Sequence, residues 1–184
     1  MAKQKADAVA LLKADHRKVE DLFEKFHKAR GAERKQALVK QICTELCIHT
    51  MIEEEIFYPA CTGQVEDDTV DEAYVEHDGA KVLVAELLAA SPDDEFYDAK
   101  VTVLSEDIKH HVKEEENRTE GMFAQAKKAG LDLEGLGERL QVRKKELLEQ
   151  IKSDGLPPIE TRSFTGHKLK QSKPVDGGTA AHGS

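Results

Sequence analysis

Tryptophan is missing from this 184-residue chain, aromatic residues reach only 5%, and proline occurs five times. Scarce proline beside abundant Ala, Leu, Lys and Glu leaves little room for a turn-rich β architecture and points to an all-α fold. No apolar run approaches the roughly 20 residues that a membrane-spanning helix needs, so a membrane partner is not expected. The first residues, Met1-Ala2-Lys3-Gln4-Lys5, lead into amphipathic sequence without the apolar stretch of a secretory leader. The three cysteines, Cys43, Cys47 and Cys61, are too few and too widely set for a disulfide framework. They fit a reducing compartment, and the location expected from them is cytoplasmic. Basic residues are short as well: 27 Lys and Arg face 36 Asp and Glu, a formal charge of −9, so no nucleic-acid footprint is visible.

What the chain does hold is helical patterning over most of its length. Residues 7 to 29 place Val9, Leu12, His16, Val19, Phe23 and Phe26 at steps of three and four, the signature of one buried stripe. From about 33 to 58 the stripe reads Leu38, Ile42, Leu46, His49, Glu53 and Ile56, and Pro59 and Gly63 then break the chain. A third helix, about 68 to 90, carries Val70, Ala73, His77, Ala80, Val84, Leu87 and Leu88. Ser91-Pro92-Asp93-Asp94 offers a capping serine, a proline at the first helical position and an acid three residues on. A fourth helix is expected to start there and to run to about 128 through Val101, Leu104, Ile108, His111, Glu115 and Met122. The competing register, with His110 and Glu114, is more polar, which leaves His110 at the surface or behind the inward residues.

Gly130 interrupts the pattern, and Asp132 can cap a fifth helix with Leu133, Leu136, Leu140, Leu147 and Ile151 on one stripe. That helix is expected either to pack across the bundle or to mediate homo-oligomer formation. From Ser153 the sequence turns rich in Gly, Pro, Ser and Lys, with Ile159 and Phe164 as isolated apolar residues, and a flexible tail is expected. The resulting division is 1–128 for a four-helix bundle, 129–153 for an accessory helix and 154–184 for the tail.

The polar residues on the apolar stripes carry the functional signal. His49 precedes Glu53, and His111 precedes Glu115, by four residues, which sets imidazole and carboxylate on one helix face a turn apart. In an up-down-up-down bundle, His16, His49, His77 and His111 all fall about 14 Å from the same end at 1.5 Å per residue. Glu53 and Glu115 lie a turn closer to that end. A lone histidine on an apolar face is more often a hydrogen-bonded core residue, but four in one layer with two carboxylates reverse that weighing. Buried carboxylates need compensating cations, and mixed imidazole and carboxylate donors suit Fe, Mn or Zn. Six such side chains suffice for two metals if each glutamate bridges both.

These motifs resemble the hemerythrin-like proteins, the HHE cation-binding domain family, over about residues 7 to 128. The resemblance rests on Asp15-His16, on His49 through Pro59 with its three successive glutamates, on Glu76-His77, and on His110-His111-Val112-Lys113-Glu114-Glu115-Glu116. It implies a four-helix bundle around two non-haem Fe ions, oxo- or hydroxo-bridged. His16 and His49 would serve one iron, His77 and His111 the other, and Glu53 and Glu115 would bridge. The ligands implied are O2, peroxide or NO, in sensing, storage or stress protection. The alternatives are an enzyme that decomposes peroxide at the same centre, and a zinc-holding or metal-free helical interaction protein. Oxygen-carrying members have a fifth histidine a turn from the third-helix histidine, where this chain has Ala73 and Lys81; Tyr74, Glu76 or water are the candidates for that position. The remaining glutamates of the two acidic runs read as solvated face. Cys43 and Cys47 read as packing residues, with an oxidant-responsive pair near His49 as the competing reading.

Overall fold

A computed structural model describes residues 7–166, and among these every regular element is helical. Helix α1 (Ala8–Lys28) starts at Asp7, whose carboxylate accepts the Ala10 N–H at 2.7 Å. Helix α2 (Ala32–Ile52) passes directly into a π-helical turn, Glu53–Phe57, and then into a short α-helical turn, α3 (Tyr58–Cys61). Helices α4 (Asp67–Ala89) and α5 (Tyr97–Glu115) complete a bundle in which α1 packs on α2 and α5, and α4 on α2 and α5. The short α6 (Met122–Lys128) and the long α7 (Leu133–Asp154) follow.

The expected fourth helix differs at both ends. It begins at Tyr97 rather than Ser91, because the Asp94 carboxylate turns back to accept the Ser91 N–H at 2.8 Å and so closes a turn of its own. Its far end is Glu115 rather than a residue near 128. The Asn117 side chain there accepts N–H groups from Thr119 and Glu120, an arrangement that competes with helix continuation. Gly121 then passes so close to the end of α5 that an added Cβ would lie 2.5 Å from the carbonyl oxygens of Glu114 and Glu115. Only glycine fits there.

Asp132 caps α7 by accepting the Gly135 N–H at 3.0 Å. The apolar stripe of α7 is spent inside the chain: Leu136, Leu140 and Leu147 are buried where the helix crosses α1, α2 and the π turn. Beyond it, part of the segment expected from Ser153 to be a flexible tail touches the bundle. Leu156 and Ile159 pack on the bundle core, and Asp78 of α4 accepts the backbone N–H groups of Arg162 and Ser163 and the Ser163 hydroxyl. The Arg162 guanidinium lies 4.3 Å from the Tyr74 ring centroid. One carboxylate and one ring thus hold a segment too polar to bury itself. The rest of the expected tail, with His167 and His182, lies outside the described residues.

The apolar core falls into two clusters. One gathers Val19, Phe23, Ile42, Leu46, Val84, Val101 and Leu104; the other gathers Leu12, Ile52, Phe57, Met122, Phe123 and Leu140. Along each of the four bundle helices a histidine stands at the boundary between them. The polar residues therefore form a layer sealed by hydrocarbon on both sides.

Candidate metal centre

His16, His49, Glu53, His77, His111 and Glu115 come together in that layer, each no more than 5% exposed. The imidazoles meet in pairs through Nε2: His16 and His49 at 3.1 Å, His77 and His111 at 3.2 Å. The carboxylates tie the pairs crosswise. Glu53 Oε2 lies 3.1 Å from His49 and 3.4 Å from His77, while Glu115 Oε2 lies 3.5 Å from both His16 and His111. Two groups of donor atoms result, one of His16, His49, Glu53 and Glu115 and one of Glu53, His77 and His111, all within 4.8 Å of one another in each group.

The opposite ring nitrogens face outward, each towards a carboxylate. His16 Nδ1 is 2.8 Å from Glu116, His77 Nδ1 is 3.0 Å from Glu54, and His111 Nδ1 is 2.7 Å from Glu76. The fourth, His49 Nδ1, lies 3.9 Å from Asp15, which Lys144 of α7 holds in place. A proton on Nδ1 leaves the Nε2 lone pair free to point into the layer, the arrangement that orients metal-ligating histidines. Glu54 and Glu116 are therefore not solvated face, and Glu76 acts on a histidine instead of filling the fifth-histidine position. Reading along one stripe missed them because each acts on a histidine of a different helix.

The structure places His111 inward and leaves the His110 side chain 64% exposed, so the apolar register prevails on α5. Neither Tyr74 nor Glu76 stands where a fifth histidine would reach. Tyr74 packs edge-on against Tyr58 and under Arg162, and Lys81 pairs with Glu54 and Asp78. The Tyr58 hydroxyl reaches the layer instead, 3.0 Å from His77 Nε2 and 3.0 Å from Glu115 Oε1. It gets there through the π turn, where the Tyr58 N–H bonds to the Glu53 carbonyl five residues back. In an uninterrupted α-helix, five residues rotate a side chain roughly 140° away from the starting face. Phe123 of α6 closes the other flank, its ring stacked on His16 at 5.9 Å.

The electrostatics show what the layer needs. Burial drives the His16 imidazole down to about 2, so it stays neutral. Burial also works against a charged His49, but Glu53, with help from Asp15, raises it to about 10. Burial would raise Glu53, yet His49 keeps it well below the usual carboxylate range, and burial together with the Glu53 charge pushes Glu115 up to about 7. Without another cation, protons do the compensating. Even so, Glu53 Oε1 and Glu115 Oε2 are buried without a hydrogen-bond partner. Orphaned carboxylate oxygens beside four converging imidazole nitrogens are the donor set of a cation site, and the residues present fit one.

Among the described residues no helix is long and apolar enough to cross a membrane. A curated protein from Nostoc sp. named as a DNA nickase is 28% identical over 115 residues, 62% of this chain; the match spans only 33% of that relative's length. The crystal structure of a hemerythrin HHE cation-binding domain-containing protein from Mycobacterium kansasii superposes with a TM-score of 0.67 at 23% identity. It covers 82% of this chain and 94% of that one, and shows the same fold. The profile of the Hemerythrin HHE cation binding domain family matches residues 7–123, which contain the whole buried layer, and the chain belongs to that family.

Proposed function

We propose that the chain holds two non-haem iron ions and uses them to bind O2, peroxide or NO. His16 and His49 would hold one, His77 and His111 the other, with Glu53 and Glu115 shared between them. The observation that carries this reading is the crosswise reach of the two carboxylates, each within 3.5 Å of one histidine of each pair, with Glu53 Oε1 and Glu115 Oε2 buried and lacking a hydrogen-bond partner among the described residues. Iron held this way supplies reversible electron exchange with small oxygen and nitrogen ligands. The protein's own part is to exclude water with the two apolar clusters, to fix the imidazole tautomers through Glu54, Glu76 and Glu116, and to present the Tyr58 hydroxyl.

Tyr58 favours a second reading, turnover of peroxide. A phenol that donates to Glu115 and touches His77 can supply or accept a proton beside a bound ligand. Burial and the nearby Glu115 and Glu53 carboxylates hold it well above the ordinary tyrosine range, so the group is a proton donor as it stands. A zinc-holding or purely structural role has less support. The fifth helix, its best argument, uses its apolar stripe within the chain. The formal charge of −9 argues against a nucleic-acid partner.

Metal analysis of protein purified without added metal tests the proposal, together with its near-ultraviolet spectrum. Two irons per chain and an oxo-to-iron band are expected. Stoichiometric zinc, or no metal, would overturn it. Oxygen release from added peroxide by the iron-loaded protein then separates the enzymatic reading from storage or sensing.

A further inference from the structure

An acidic groove runs between α4 and α5 and ends at the buried layer. Its inner part is a cavity of about 290 Å³ whose deepest walls are His111 and Glu115. A shallower outer depression carries His110, and the two share Glu72, Glu76 and Glu114 as walls. Among the described residues neither part is lined by a lysine or arginine. By contrast, the depression between α1 and α5 carries Arg17, Lys109, Lys113 and Arg118.

The mouth and the end of this groove differ in kind. At the end, Glu115 is 3% exposed and its Oε2 has no hydrogen-bond partner. At the mouth, His110 Nε2 lies 3.1 Å from Glu114 Oε1 and 3.6 Å from Glu76 Oε1, a half-exposed group of one imidazole and two carboxylates within 4.8 Å of one another. Glu76 belongs to both ends, because its other oxygen lies 2.7 Å from His111 Nδ1.

We propose that this groove is the path by which divalent transition-metal cations reach the buried layer, with Glu76, His110 and Glu114 as an outer site that holds the cation in transit. The inference rests on the reading of the layer as a metal centre. A groove walled by one sign of charge within low-dielectric surroundings concentrates the opposite ion and speeds its arrival, by a factor on the order of 10 to 1,000. One nitrogen and two carboxylates bind such a cation weakly when open to water. Weak binding suits transit, since a tight outer site would trap its cargo. The six buried donors at the inner end then draw the ion onward.

The test uses metal-free full-length protein and Co2+, whose visible ligand-field bands report uptake. Wild type is compared with His110→Ala/Glu114→Gln, which removes the outer site, and with Glu72→Gln/Glu120→Gln, which removes only charge. Both variants should reach the same two cobalt ions per chain as wild type, with the uptake rate lowered about tenfold in the first. Added salt should slow wild type more than either variant. In protein already loaded with Zn2+, Mn2+ should show a weak additional site that His110→Ala/Glu114→Gln lacks. Complete uptake at the wild-type rate in both variants would overturn the path while leaving the buried centre intact. Failure of wild type to take up cobalt in the layer would overturn the path and the centre together.

Discussion

The Tyr58 hydroxyl lies 3.0 Å from Nε2 of His77, on the side where Ala73 and Lys81 offer no imidazole. A phenolate bound to ferric iron absorbs in the visible. Tyr58→Phe should therefore keep close to two irons per chain and lose any visible band, while Tyr74→Phe should change neither. Absorption spectra of the two variants beside their iron contents decide it. A visible band that persists in Tyr58→Phe would mean that the phenol is a hydrogen-bond donor only.

The outward carboxylates give a second expectation. Replacing Glu54 or Glu116 by glutamine keeps size but weakens the hold on the histidine Nδ1 proton, and such changes cost roughly 10- to 100-fold in metal affinity. Glu55, which pairs with Arg143 of α7, is the control and should cost little. Competition against a chelator of known affinity measures the difference. His49→Ala and Glu53→Ala should strip most of the metal, since each removes a donor from the layer, whereas His110→Ala should leave the final content unchanged.

Much of this arrangement is legible in the sequence alone. Steps of three and four located α1, α2, α4 and α5, and because bundle helices share one length scale, the four histidines could be placed at one height. What stayed hidden has physical causes. Periodicity of 3.6 turns Tyr58 away from the Glu53 face; the π turn brings it back and leaves Ile56 only partly buried, and no residue preference marks it. The acid of the Ser91–Asp94 signature folded back on its own loop instead of opening a helix. Glu54, Glu76 and Glu116 sit off the stripes and reach histidines across helix boundaries, a relation that one-dimensional spacing cannot display. Residues 155–166 look too polar to dock, but Asp78 offers them a partner that their own composition does not reveal.

Truncation after Gly155 should preserve metal content, because the six converging donors all lie before Glu116. Stability should fall. Losing the partial burial of Leu156 and Ile159 costs roughly 1–2 kcal/mol, which lowers the Tm of a chain this size by about 2–8 °C. Asp78→Ala should reproduce a large part of that loss in the full chain. Calorimetry on both proteins checks this, and a truncated chain that loses metal would show that the segment also supports Lys81 and Glu54.

The cysteines allow a pH-dependent test of burial. Burial raises the Cys43 and Cys61 thiols to about 12, so the folded protein disfavours their ionised forms. An unfolded thiol ionises near 9, hence the folded state keeps protons that the unfolded state has released. The resulting stability is full below about pH 9 and is lost progressively as pH climbs towards 12. Native alkylation by iodoacetamide should accordingly stay slow through pH 9, with no step near 8.5. A fast phase near neutral pH would revive an oxidant-responsive role for Cys43 and Cys47.

The π turn has one further consequence. Were Glu53–Phe57 to relax into an ordinary α-helix, the side chain four residues beyond Glu53 would face the layer, and that residue is Phe57. The chain thus stores both a reactive ring and an inert one at adjacent positions, and the winding of one turn selects between them. Rewinding at constant length, with no substitution anywhere among the six converging side chains, would exchange a phenol for a hydrocarbon beside the same ligands, whereas deletion of one residue between Glu53 and Phe57 would set the tyrosine at the fourth position of a regular helix and keep it there. Relatives with identical histidines and glutamates can then differ in chemistry through the winding of this turn.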